Sequence, residues 1–102
     1  MVIEFGTLKV DRERYEVMVA GGVVQLTYQE FNALWFIAAL EGRVATYEAL
    51  ARELWGEPDA RSARRLTVLM SRLRAKLGNE GAALVETVTR VGYRMSEAQG
   101  AR

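Results

Sequence analysis

The chain has 102 residues, enough for one hydrophobic core and too few for a second domain. Half of the residues are hydrophobic and 26% are charged, the balance of a soluble globular protein. The longest apolar run, Ala33 to Leu40, falls well short of the roughly 18 residues a membrane span needs. Cysteine and histidine are both absent, which excludes disulfides, thiolate metal sites and every His-dependent triad.

The net charge of +1 comes from 14 basic and 13 acidic side chains, and it hides a strong asymmetry. Arg61, Arg64, Arg65, Arg72, Arg74 and Lys76 fall in one segment, 61–77, that contains no acid. The rest of the chain is therefore net acidic. A basic segment on an acidic body is a localised electrostatic footprint.

In chain order, residues 1–26 predict short strands at Val2 to Phe5, Leu8 to Val10, Tyr15 to Val19 and Val23 to Leu26. Gly6-Thr7, Asp11-Arg12 and Ala20-Gly21-Gly22 mark the turns of a three- or four-stranded antiparallel meander. Thr27 stands three residues before Glu30 as a capping box. Phe31, Leu34, Trp35 and Ala38 then recur at helical spacing, so a first helix runs to about Leu40, with Gly42 as its stop. Thr46 starts a second helix, which ends at Trp55-Gly56. Pro58 makes residues 57–60 a loop.

The third helix, about 61–77, is capped by Asp59 or Ser62 and stopped by Gly78-Asn79. At about 100° per residue from Arg61, the residues Leu66, Leu69, Met70, Leu73 and Leu77 fall between about 80° and 180°. Arg61, Arg64, Arg65, Arg72 and Lys76 fall between about 300° and 60°, with Val68 inside that arc. A merely solvated face interleaves both signs, because like charges four residues apart weaken a helix. Arg61/Arg65 and Arg72/Lys76 are such like pairs, so the face is read as an anion-binding surface for nucleic acid. After a linker at 79–83, Leu84 to Thr89 and Tyr93 to Met95 form a hairpin turning at Arg90-Val91-Gly92. Residues 1–95 are then one domain, and 96–102 a frayed tail.

Two helices, the second basic, followed by a hairpin with Arg90 at its tip, give an α+β winged helix-turn-helix layout. A helix fits the DNA major groove, and arginine serves both phosphates and guanine edges. Val68 suits a thymine methyl. The hairpin reaches an adjacent minor groove.

The residues also carry a resemblance. Leu26-Thr27 with Glu30-Phe31, Leu50 with Leu54-Trp55-Gly56, Ser71 to Leu77, Glu86-Thr87-Val88 and Val91-Gly92-Tyr93-Arg94 occur in an order that resembles the OmpR/PhoB-type response regulator effector domain. The resemblance covers almost the whole chain, Phe5 to Met95. It implies a four-stranded N-terminal sheet, three helices and a hairpin wing. It implies sequence-specific double-stranded DNA binding in bacterial transcription regulation, within a two-component system in the cytoplasm. Arg72 matches the base-reading arginine, Arg64 and Arg74 match phosphate contacts, and Val68 matches a thymine-methyl contact. Trp55 and Thr87 match backbone contacts, and Tyr93 matches a wing residue packed near the backbone. Gly56, Glu57, Pro58, Asp59 and Ala60 match a loop that touches RNA polymerase in activators. A second copy on tandem half-sites is a further implied partner. No cofactor, metal or catalytic residue is implied.

Three departures stand out. The family usually carries Arg-Gly where this chain has Thr89 and Arg90, so the wing arginine is displaced by one residue and the turn loses its glycine. Thr67 and Leu69 stand where Asp and His are frequent. No receiver region precedes the first strand, which fits an excised output domain or a stand-alone regulator. The altered wing and Leu69 leave open an alternative, a winged helix that docks onto polymerase, a sigma factor or another regulator without specific DNA binding. An RNA-binding module fits poorly because the aromatics occupy core-like positions. An enzyme fits poorly because Glu30, Glu48, Glu53 and Glu86 lie on separate elements.

Overall fold

Four short strands open the chain: β1 (Val2–Phe5), β2 (Leu8–Asp11), β3 (Glu16–Val19) and β4 (Gly22–Val24). They form an antiparallel sheet in the order β1-β2-β3-β4. The alternation in β2 buries Leu8 and Val10 and exposes Lys9. Val10 lies opposite Val17 of β3, and both are fully buried. These positions come from a computed structural model that describes residues 1–96.

Helix α1 (Tyr28–Ala39) starts at the expected capping box. The Glu30 N–H donates to Thr27 Oγ1 at 3.2 Å, and the Thr27 N–H donates to Glu30 Oε1 at 2.9 Å. Phe31, Leu34, Trp35 and Ala38 are buried, and so are Ala33 and Ile37 on the other flank. The helix is apolar almost all round because it packs against β1 on one side and against the later helices and the wing on the other.

Helix α2 (Tyr47–Trp55) starts at Thr46, whose Oγ1 accepts the Ala49 N–H at 3.1 Å. It ends at Gly56, where φ is +85°. Just before it lies a two-residue strand, β5 (Ala45–Thr46), which the sequence does not reveal because two residues show no alternation. Helix α3 (Ser62–Ala82) includes a break at Gly78 (φ +78°), so the expected stop is present. Beyond it the chain winds once more through 79–82, where a linker was expected.

The expected cap of α3 is corrected. Its N-cap is Arg61, and neither Asp59 nor Ser62 caps it. Those two bond to each other instead, the Asp59 N–H donating to Ser62 Oγ at 2.9 Å and the Ser62 hydroxyl reaching Asp59 Oδ1 at 3.4 Å, while Asp59 Oδ1 also accepts the Arg61 N–H at 2.9 Å. The pair stiffens the entry to α3 without closing its first turn.

Strands β6 (Val85–Val88) and β7 (Gly92–Met95) form the wing. Strand β5 pairs with the other edge of β7, giving a second sheet in the order β5-β7-β6. The fold is thus α+β, with three helices, a four-stranded antiparallel sheet and a C-terminal hairpin. Leu34, Ile37, Leu50, Leu66, Met70, Leu73 and Met95 meet in one core. Among the described residues, no helix is long and apolar enough to cross a membrane. Ser96, the first residue of the expected tail, donates its N–H to the Leu84 carbonyl at 2.8 Å; the rest of that tail, 97–102, lies outside the described residues.

Candidate nucleic-acid interface

The core-facing side of α3 carries buried Leu66, Met70, Leu73 and Leu77. The opposite side presents Arg61, Arg64, Arg65 and Arg72, all exposed, around Val68, which is 41% exposed. Among the described residues, none of these four arginines has an acidic partner within ion-pair distance. Arg64, Arg65, Val68, Leu69 and Arg72 form one wall of a shallow groove of about 370 Å³. Thr27, Gln29 and Glu30 of the α1 start, with Trp55 at the end of α2, form the other wall. Leu69 is nearly buried at its base.

The remaining two basic residues of the segment are engaged by the protein. Lys76 Nζ donates to Glu30 Oε1 at 2.8 Å, and Glu30 is 4% exposed. Burial pushes the Glu30 pKa up, but the hydrogen bonds from Lys76 and Thr27 and the Lys76 charge outweigh it and hold it below the ordinary 4.5. Arg74 turns towards the wing. Its Nη2 donates to the Val85 carbonyl at 2.8 Å and to Thr87 Oγ1 at 2.7 Å, and its Nε also reaches Val85. The helical angle foreshadows this, since Arg74 falls at about 220°, off the cationic arc.

Trp55 and Arg65 meet at the groove. The Arg65 guanidinium lies 4.1 Å from the centroid of the Trp55 ring. The indole has a single donor, Nε1–H, and it goes to Gln29 Oε1 at 3.1 Å. Sequence reasoning missed Gln29, because an exposed glutamine in a first helical turn carries no signal until the fold brings Trp55 beside it.

On the wing, Thr87 is exposed and accepts from Arg74, leaving its own hydroxyl proton free to donate. Tyr93 is 5% exposed, packed edge-on against Tyr47 and beneath Arg74. Burial and the neighbouring Tyr47 raise its pKa above the ordinary 10.0, with Arg74 opposing. Arg90 sits exposed at the tip with φ +70°, in the left-handed region that glycine occupies at no steric cost. The turn closes with the Val91 N–H on the Val88 carbonyl at 2.9 Å. Arg90→Gly is expected to stabilise the fold by about 0.5–1 kcal/mol, the left-handed penalty less the added chain entropy of glycine. Thermal denaturation should show a Tm higher by a few degrees.

The loop at 56–60 is short. Arg52 and Glu57 form an exposed ion pair across it at 3.9 Å. Pro58 is half-buried, and Gly56, Glu57, Asp59 and Ala60 are exposed. Among the described residues no group of acidic side chains is placed to hold a metal ion.

A meander, three helices closing on one core, a hairpin wing and a cationic face on the third helix that has no acidic partner among the described residues define a winged-helix domain. Residues 21–95 match the family model described as "Transcriptional regulatory protein, C terminal". The chain belongs to that family, one of transcriptional regulators and not of enzymes. It is 34% identical over 96 residues to the sensory transduction protein RegX3 of Mycobacterium leprae, covering 92% of this chain and 48% of RegX3. It thus spans about half the length of the curated relatives it matches. Among solved structures, the RstA DNA-binding domain of Klebsiella pneumoniae in complex with the RstA box superposes with a TM-score of 0.82 at 32% identity, covering 93% of this chain and 96% of that one. The DNA-binding domain of CpxR from E. coli gives 0.81 at 28% identity, covering 93% and 95%.

Proposed function

We propose that this chain binds double-stranded DNA sequence-specifically in transcription regulation, with α3 in the major groove and the wing at the adjacent minor groove. The carrying observation is the exposed set Arg61, Arg64, Arg65 and Arg72 around Val68, with no acidic partner among the described residues. The DNA complex of RstA, a similar structure, supports the same reading. Arg72 is assigned base readout and Val68 a thymine methyl, while Arg61, Arg64, Arg65, Thr87 and Arg90 serve backbone or minor-groove contacts. Arg74 contributes positive potential from the position where Val85 and Thr87 hold it, while the charge of Lys76 is balanced by Glu30. Tyr93 supports the wing from below. A cytoplasmic location, tandem half-sites for a second copy and a polymerase contact through Gly56 to Ala60 complete the reading.

Fluorescence anisotropy on random-sequence duplex DNA across a salt series tests it. Binding should weaken steeply with salt, with a slope equivalent to about 4–6 neutralised phosphates at about −0.9 each. Arg72→Ala should leave that slope within about one unit and cost about tenfold on a selected site. Absence of binding at low salt would sink the reading and put the protein-docking alternative first.

A further inference from the structure

The groove beside α3 joins three helices through one short chain of contacts. Gln29 stands in the first turn of α1, Trp55 at the last residue of α2 and Arg65 on the exposed face of α3. The Gln29 side-chain carbonyl accepts the Trp55 indole N–H at 3.1 Å, and the Arg65 guanidinium rests 4.1 Å from the Trp55 ring centroid. The hydrogen bond limits rotation of the indole, and the indole face then limits where the guanidinium lies. Stacking uses the flat face of arginine and leaves its N–H edge available. Among the described residues that edge donates to no protein acceptor. Arg74, nine residues along the same helix, shows the opposite case, with its donors taken by Val85 and Thr87.

We propose that Gln29 is a positioning residue for DNA binding, which fixes Trp55 so that the stacked Arg65 presents its N–H fork, already oriented, to one backbone phosphate. This rests on the DNA-binding reading above and deepens it. It also changes the role of Trp55, whose single donor is occupied by Gln29, from phosphate donor to platform. An arginine held in place loses less rotamer freedom when it binds, so the gain appears as affinity on any sequence.

The test uses the full chain with random-sequence duplex in a salt series. The variants are Gln29→Met, which keeps length and removes the acceptor, Trp55→Phe, which keeps an aromatic face and removes the donor, and Arg65→Ala. Gln29→Met should weaken binding about three- to tenfold, the scale of one net hydrogen bond or one exposed cation–π contact. Its Tm should match wild type, because Gln29 is exposed. Arg65→Ala should weaken binding and make the salt slope shallower by about 0.9. In the Arg65→Ala or Trp55→Phe background, Gln29→Met should have no further effect. Full additivity of Gln29→Met with Arg65→Ala, or wild-type affinity for Gln29→Met, overturns the proposal while the DNA-binding reading stands. A wild-type protein that binds no duplex overturns both.

Discussion

Gly92→Ala is expected to destabilise the domain by about 3 kcal/mol, the upper end of overpacking costs, and to lower Tm on the order of 15 °C. Gly92 is buried where three strands meet, opposite Thr46 of β5 and Val88 of β6. A methyl group there would collide with the Ala45 carbonyl oxygen and lie 2.8 Å from both the Ala45 carbonyl carbon and Thr46 Cα. These are backbone atoms, so no rotamer change relieves them. Either β5 leaves β7 or the wing shifts as a whole. Gly42 makes the control, because it has φ +98° but open space around it. Gly42→Ala should cost only the left-handed penalty of about 1 kcal/mol. Equal midpoints for the two variants in urea denaturation would show that β5 does not lie against β7 as described.

Lys76→Met should cost about 2 kcal/mol near neutral pH. Breaking a buried ion pair costs about 3–5 kcal/mol, and the figure is reduced here because the Lys76 side chain is 40% exposed. Glu30, at 5% side-chain exposure, would be left with its hydrogen bonds to Thr27 among the described residues. The pH dependence has a definite sign. The Glu30 pKa is lowered on folding, so its contribution is complete above the ordinary value of 4.5 and is lost as pH falls through the lowered value. Without Lys76 the lowering from its hydrogen bond and charge is lost, and the folded carboxyl titrates higher than in wild type. The gap between wild type and Lys76→Met should therefore be widest near pH 7 and narrow towards pH 3–4. Urea unfolding at several pH values measures it. A gap that stays constant would mean that Lys76 acts through packing of its aliphatic stem and not through its charge.

The elements of this fold are legible wherever a local signal sets them. Thr27 with Glu30, Thr46, Gly56 and Gly78 mark helix boundaries by capping chemistry, which needs only neighbours in the chain. The apolar arc from Leu66 to Leu77 orients α3 for the same reason. Contacts between distant segments leave no such trace. Strand β5 exists because Ala45 and Thr46 pass the edge of β7, and their own residue types do not demand a strand. Charge on a helical wheel does not distinguish Arg72, which faces solvent, from Lys76, which faces Glu30 across 46 positions of sequence. Resemblance placed Arg74 with the phosphate contacts, yet its angle on the wheel already set it apart, and the structure ties it to Val85 and Thr87. Gln29 was invisible because its partner, Trp55, is 26 residues away.

The Arg74 bridge has a mechanical consequence for the proposed complex. It ties the middle of α3 to the first strand of the wing, while β5 secures the wing from its other edge. The distance between helix and hairpin is thereby set before any duplex arrives, as in a caliper with its screw tightened. A rigid gauge does not adjust to the object it measures. In the proposed complex the work of matching one groove to the next would fall on the DNA, whose resistance to bending and groove compression varies with base sequence. Base pairs that no side chain touches would then influence affinity through their stiffness, and loosening the screw with Arg74→Ala would flatten that preference.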